Sequence, residues 1–106
     1  MDFDINEVLT DMLGAIKSSV GENWPQVKDT ASEFMSDRKQ RLETIAQFVL
    51  DKQLTLEQAE VYLNAEKRLL ESELHSIAII SKAVAQHAAN AALDVLYKAI
   101  RLAIGI

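Results

Sequence analysis

Residues 55–104 contain neither glycine nor proline, so nothing in this stretch of fifty residues forbids one continuous α-helix. At ~1.5 Å rise per residue such a helix would be on the order of 70 Å long. The average globular helix has only roughly 11–12 residues. The first half of the stretch is charged and amphipathic. The second half is apolar, and nine of the chain's fourteen alanines lie after position 75. The three glycines stand near the ends, at Gly14, Gly21 and Gly105, and the one proline is Pro25. That is too few turn formers for a β-rich or loop-rich fold. The expected class is therefore all-α.

A chain of 106 residues has room for one modest core, so residues 1–106 are read as a single helical domain. Hydrophobic residues make up 49% and charged residues 25%, which argues for a folded chain over a disordered one. There is no internal repeat.

Helix one is expected at 5–20. Asp4 is a good N-cap, Glu7 stands three residues on as in a capping box, and Phe3 and Val8 occupy the staple positions. Ile5, Val8, Leu9, Met12, Leu13, Ile16 and Val20 recur at helical spacing. Gly21 is a natural terminator. Gly14 inside the helix costs ~1 kcal/mol relative to alanine and is read as the mark of a close helix contact.

Helix two is expected at 24–51, with Asn23 as cap and Pro25 in the first turn, where its missing N–H does no harm. Its inner side is read as Trp24, Val27, Ala31, Phe34, Met35, Leu42, Ile45, Ala46, Phe48 and Val49. The polar interval 36–41 interrupts that stripe, and continuity requires Arg38 to lay its aliphatic stem along the face. A third helix at 56–104 then begins on a clear capping box, Thr55 with Gln58.

Helices two and three form a long antiparallel hairpin folding near Gln53, in which facing residues have numbers summing to about 106. The register sets Arg38 and Arg41 against Glu66 and its neighbourhood, and Asp37 against Lys67 and Arg68. The seam Leu56, Ala59, Leu63, Glu66, Leu70, Glu73, Ile77, Ile80, Val84 is coiled-coil-like with two carboxylates in it. Interhelical ion pairs of Arg38 and Arg41 with Glu66 and Glu73 are expected.

Helix two covers the third helix only to about Lys82, which leaves roughly twenty residues without a partner if that helix stays straight. Exposing so much apolar surface is unfavourable, at ~25 cal/mol per Å². Three outcomes are open: a break near His87–Asn90 giving four helices, burial in a second copy of the chain, or contact with a membrane or a partner's groove. The absence of breakers favours the straight helix and a homodimer or higher oligomer. Its contact surface is then Val84, Ala88, Ala91, Ala92, Val95, Leu96, Ala99 and Ile100.

Signals for chemistry are sparse. With no cysteine there is neither a disulfide framework nor a zinc–thiolate site. Glu66 and Glu73 invite comparison with carboxylate-bridged di-metal bundles, but those need Glu-x-x-His on two helices. Here His75 follows Glu71 by four residues, and His87 follows Ala83 and Val84. No nucleophile elbow or Gly-rich phosphate loop occurs. No catalytic residue, metal ligand or cofactor is assigned.

The net charge of −5 disfavours nucleic acid, which requires clustered Lys and Arg. Charge is uneven: Asp2, Asp4, Glu7 and Asp11 open the chain, whereas Lys82, Lys98 and Arg101 dominate its end, so the first and last helices should attract. The acidic start lacks a signal peptide's basic region, and the longest uncharged run, 83–93, is shorter than the ~20 residues of a spanning helix. A cytoplasmic location is expected.

The function expected is that of a non-catalytic structural, adaptor or regulatory protein that self-associates through its alanine-rich C-terminal half. The alternatives are membrane-surface binding through the amphipathic stretch 91–106, where Tyr97, Lys98 and Arg101 flank an apolar face, and a carboxylate–metal bundle enzyme.

Overall fold

The computed structural model describes residues 3–105. Met1, Asp2 and Ile106 lie outside the described residues, Asp2 of the acidic opening among them. The fold is all-α, with helices α1 (Ile5–Val20), α2 (Trp24–Leu50), α3 (Leu56–His75) and α4 (Lys82–Ala103). A 3-10 turn, Gly21–Asn23, joins α1 to α2 with no non-helical residue between them.

The four helices form an up-down bundle measuring 41 × 22 × 22 Å. Around it, α1 neighbours α2 and α4, and α3 neighbours α2 and α4. The most extensive contact is α1 on α4. Ala85, Ala88, Ala89 and Ala92 are fully buried there, and side chains this small let neighbouring backbones approach closely.

The expected straight helix over 56–104 is broken, and the break lies at residues 76–81 rather than near Asn90. Its cause is in the side chains. Ser76 donates its hydroxyl to the Glu73 carbonyl at 2.6 Å, and the Ser81 hydroxyl accepts from the Val84 N–H at 3.2 Å as the N-cap of α4. Such local bonds offer the backbone an alternative to the helix. Between the two serines stand Ile77, Ile79 and Ile80, whose β-branching lowers helix propensity. Ser81, the N-cap, is extended (φ −70°, ψ 160°), and the chain turns back across residues 76–81.

Local signals elsewhere are met in part. Thr55 and Gln58 form the reciprocal capping box that starts α3. The Asp4 carboxylate accepts from Asn6 N–H at 2.9 Å, two residues on, in place of a box with Glu7. Asn23 makes no side-chain cap bond, because the 3-10 turn already runs into α2. Gly21 takes φ 58°, as a terminating glycine should. The α2–α3 turn has no glycine and places Lys52 at φ 63°, a left-handed conformation that costs a side-chain-bearing residue of order 1 kcal/mol.

The α1 stripe is buried as read, apart from a half-buried Leu13. Gly14 is a correction: it is exposed, and an added Cβ would meet nothing within 4 Å. It marks no close contact. Gly14→Ala should therefore stabilise the protein by about 0.5–1 kcal/mol, through helix propensity and a less flexible unfolded chain. Chemical denaturation of the two proteins checks this, and a loss of stability would mean that the glycine is structurally required.

Candidate functional site

The break changes where the expected interface lies. Ala88, Ala92, Leu96 and Ile100 are fully buried in the bundle core, and Val84, Ala91, Val95 and Ala99 are half-buried. The expectation of some twenty uncovered residues is thereby corrected: α4 folds back and buries its apolar face against α1 and α3. The apolar face that membrane binding would use is the same one. Among the described residues, no helix is long and apolar enough to cross a membrane.

Of the four expected ion-pair residues, the fold brings two together. Arg38 makes a bidentate pair with Glu66, Nε to Oε1 at 2.8 Å and Nη2 to Oε2 at 2.6 Å. Glu66 is only 4% exposed, and among the described residues it is the one charged residue in the core. The Arg38 side chain retains 33% exposure, so its stem covers the α2 face while its head reaches water. Hydrogen bonding to Glu66 raises the Arg38 pKa above its ordinary value, against an opposing effect of burial. No buried side-chain polar atom among the described residues lacks a partner.

Arg41 and Glu73 depart from the expected pairing. The Arg41 guanidinium lies 5.9 Å from the ring centre of Tyr62, within cation–π range. Glu73 and Asp37 form no ion pair among the described residues, although both carboxylates contribute to the field on Arg38. Arg41 sits one turn from Arg38, opposite Tyr62 rather than a carboxylate, and the register alone could have placed this contact.

Phe48, expected on the inner side of α2, is instead exposed. Ile45, Ala46 and Val49 already fill the inward positions of that turn, and Phe48 falls on its flank. Val61, Tyr62 and Leu69 are exposed on α3, with Tyr62 and Leu69 seven residues apart on one side of the helix. Val61 is 68% exposed. Sequence reading passed over this stripe because the stronger seam of α3 drew the whole hydrophobic assignment.

A groove of about 640 Å³ with a mixed polar and apolar lining runs between α3 and α4, where Glu60, Asn64, Lys67, His87, Asn90 and Tyr97 converge. Hydrogen bonding to the Glu60 carboxylate holds the Tyr97 phenol above its usual pKa. The Arg101 guanidinium lies 5.9 Å from the Tyr97 ring centre. Lys98 and Asp94 form an exposed i,i+4 pair at 2.9 Å, of a kind worth only a few tenths of a kcal/mol. A second hollow, about 500 Å³ and mainly apolar, lies at the base of the bundle between the α2–α3 turn and Ala103–Ile104. His75 and His87 are both exposed and lie on different helices. Among the described residues no group of three His, Asp or Glu side chains is placed to hold a metal ion.

The acidic α1 does pack on α4, but no ion pair joins them among the described residues, and the contact is apolar.

Comparison with protein-family models, curated proteins and solved structures finds no match for this chain.

Proposed function

We propose that the protein is a non-catalytic helical interaction protein, structural, adaptor or regulatory in role, that associates with further copies of itself. The observation supporting this is the apolar surface left outside a well-filled core. Among the described residues six large apolar side chains are exposed, and three of them are grouped on α3. Val61, Tyr62 and Leu69 line one side of α3, and Ile79 and Leu102 stand near the two ends of α4. Grouped exposure of this kind usually marks a contact surface, whereas single exposed apolar residues do not. The groove between α3 and α4 supplies polar groups but no nucleophile paired with a base, so no observation favours a reaction over an interaction.

The test is the mass of the full chain in solution, read by light scattering across a wide concentration range. A dimer or larger species that grows with concentration is expected. A monomer at every concentration overturns self-association.

A second reading, membrane-surface binding, draws support from one feature. Leu102 is 69% exposed and stands beside Lys98 and Arg101 on the last turns of α4. Co-sedimentation with anionic vesicles that is lost in Lys98→Glu/Arg101→Glu would favour it, and its absence at low salt would end it.

A further inference from the structure

We propose that two copies of this chain associate by exchanging α4, the link at residues 76–81 straightening so that α3 and α4 become one long helix whose second half packs into the partner's bundle. This rests on the self-association reading above but assigns the contact to α4 and the 76–81 link in place of the exposed stripe of α3.

The three links between helices differ in whether they can straighten. The α1–α2 link turns on Gly21 at φ 58°, and the α2–α3 link turns on Lys52 at φ 63°. Left-handed residues fix those reversals, since a continuing right-handed helix is incompatible with them. The 76–81 link has no residue at positive φ and no glycine or proline. Ser76 is already right-handed helical (φ −68°, ψ −17°). Ile77 N–H bonds to the Leu74 carbonyl at 3.1 Å and Ile80 N–H to that of Ile77 at 2.9 Å, so two of the link's amides already bond in i→i−3 turns. Straightening takes Ser81 from extended (ψ 160°) to helical ψ.

What holds α4 in place also suits exchange. The bidentate bond of Arg38 with Glu66 fastens α2 to α3 and does not involve α4. The polar tie of α4 to a neighbouring helix is that of Tyr97 to Glu60 on α3, and it re-forms between copies because it lies across the same α3–α4 face. Apolar packing seats the rest of α4, and the same packing forms against a second copy's α1 and α3. Exchange of an identical element is a low-cost route to a dimer for this reason.

The composition of the link fits the same geometry. Loops between helices are normally polar, yet this one reads Ser-Ile-Ala-Ile-Ile-Ser, with Ile79 56% exposed. Two straightened α3–α4 helices cross at this point, and the crossing buries the isoleucines of one copy against those of the other. The buried set Ala88, Ala92, Leu96 and Ile100 then becomes a contact between chains, as the sequence led one to expect, without being exposed in the monomer.

The chain has no cysteine, so introduced thiols report without background. Lys67 and Asn90 face each other across the α3–α4 groove. The full-length Lys67→Cys/Asn90→Cys protein, refolded at high concentration and bridged with a short bis-maleimide, should yield a covalent dimer under denaturing conditions. A dimeric mass in solution with bridging only within each chain overturns the exchange while leaving self-association standing. A monomeric mass with bridging only within each chain, in this protein and also with Ser81→Ala added to weaken the turn, overturns both.

Ile79→Pro should lower association at least a hundredfold, since proline is strongly unfavourable within a helix and both copies carry it. Ile79→Gly should lower it in the same direction by a smaller factor, and it guards against a distorted turn. Unchanged association in both, with helicity retained by circular dichroism, overturns the exchange. Val61→Glu/Leu69→Glu should leave the dimer intact. Loss of the dimer there instead identifies the outer stripe of α3 as the contact.

Discussion

Phe34→Ala is expected to lower the stability of the bundle by ~3–5 kcal/mol, the range for emptying a fully enclosed aromatic site. Phe34 is the largest of the fully buried side chains and is 1% exposed. It sits on α2 between Ala31 and Met35, both buried, in the stretch that α1 and α3 cover from either side. The loss has two parts: the removed ring no longer gains from leaving water, and the surrounding aliphatics can only partly collapse into the hole. A domain of this size has on the order of 5–15 kcal/mol in total, so a large share is at stake. The thermal midpoint should fall by roughly 15–20 °C, since each kcal/mol shifts it by several degrees in small domains. A fall below ~1 kcal/mol by denaturant titration would show that Phe34 is not enclosed. The same experiment on Leu70, fully buried on the seam of α3, should give ~2–5 kcal/mol.

The second large effect belongs to Arg38. Replacing it with alanine leaves the Glu66 carboxylate buried with no counter-charge, and breaking such a pair from one side costs ~3–5 kcal/mol when both partners are enclosed. Arg38 keeps a third of its side chain in water, so solvent weakens the effect and the lower end, about 3 kcal/mol, is expected. The pair itself adds much less than this, because both groups were desolvated to form it. Arg38→Met/Glu66→Leu should accordingly recover most of the loss. If Arg38→Ala costs the same with Glu66→Gln present as without it, the charge on Glu66 is not the cause. What the pair gives in return is register. Sliding α2 one turn along α3 would keep leucines and alanines in contact but would leave Glu66 without its partner.

Much of this was legible from residues. The α1 stripe, the Thr55–Gln58 box and the Arg38–Glu66 register follow from periodicity and hairpin geometry, each set by neighbours in sequence or by one turn. Three things were not. The break at 76–81 comes from serine side chains competing with the helix, and serine is only a weak breaker on intrinsic propensity. Its two hydroxyl bonds become decisive once tertiary packing makes the reversal worthwhile. Phe48 was assigned inward because an aromatic beside Val49 reads as core. Its angular position on α2 carried more information than its type. Gly14 was taken for a contact because glycine in a helix invites a reason, and here open solvent is all it faces.

For the site, the sequence correctly singled out the alanine-rich end as unusual but could not say which surface covers it. Whether α1 or a second chain lies on Ala88 and Ala92 turns on the reversal at 76–81, which sequence periodicity did not reveal.

The widest helix contact, α1 on α4, joins the first element of the chain to the last. For a helical protein this places an unusually large part of the core in pairings between distant residues, which must meet across the whole chain before they stabilise anything. The α2–α3 and α1–α2 pairs form between neighbours in sequence, whereas the contact of α1 with α4 must close across the whole bundle. Docking of α4 on α1 is therefore expected to be a late step in the folding of this bundle.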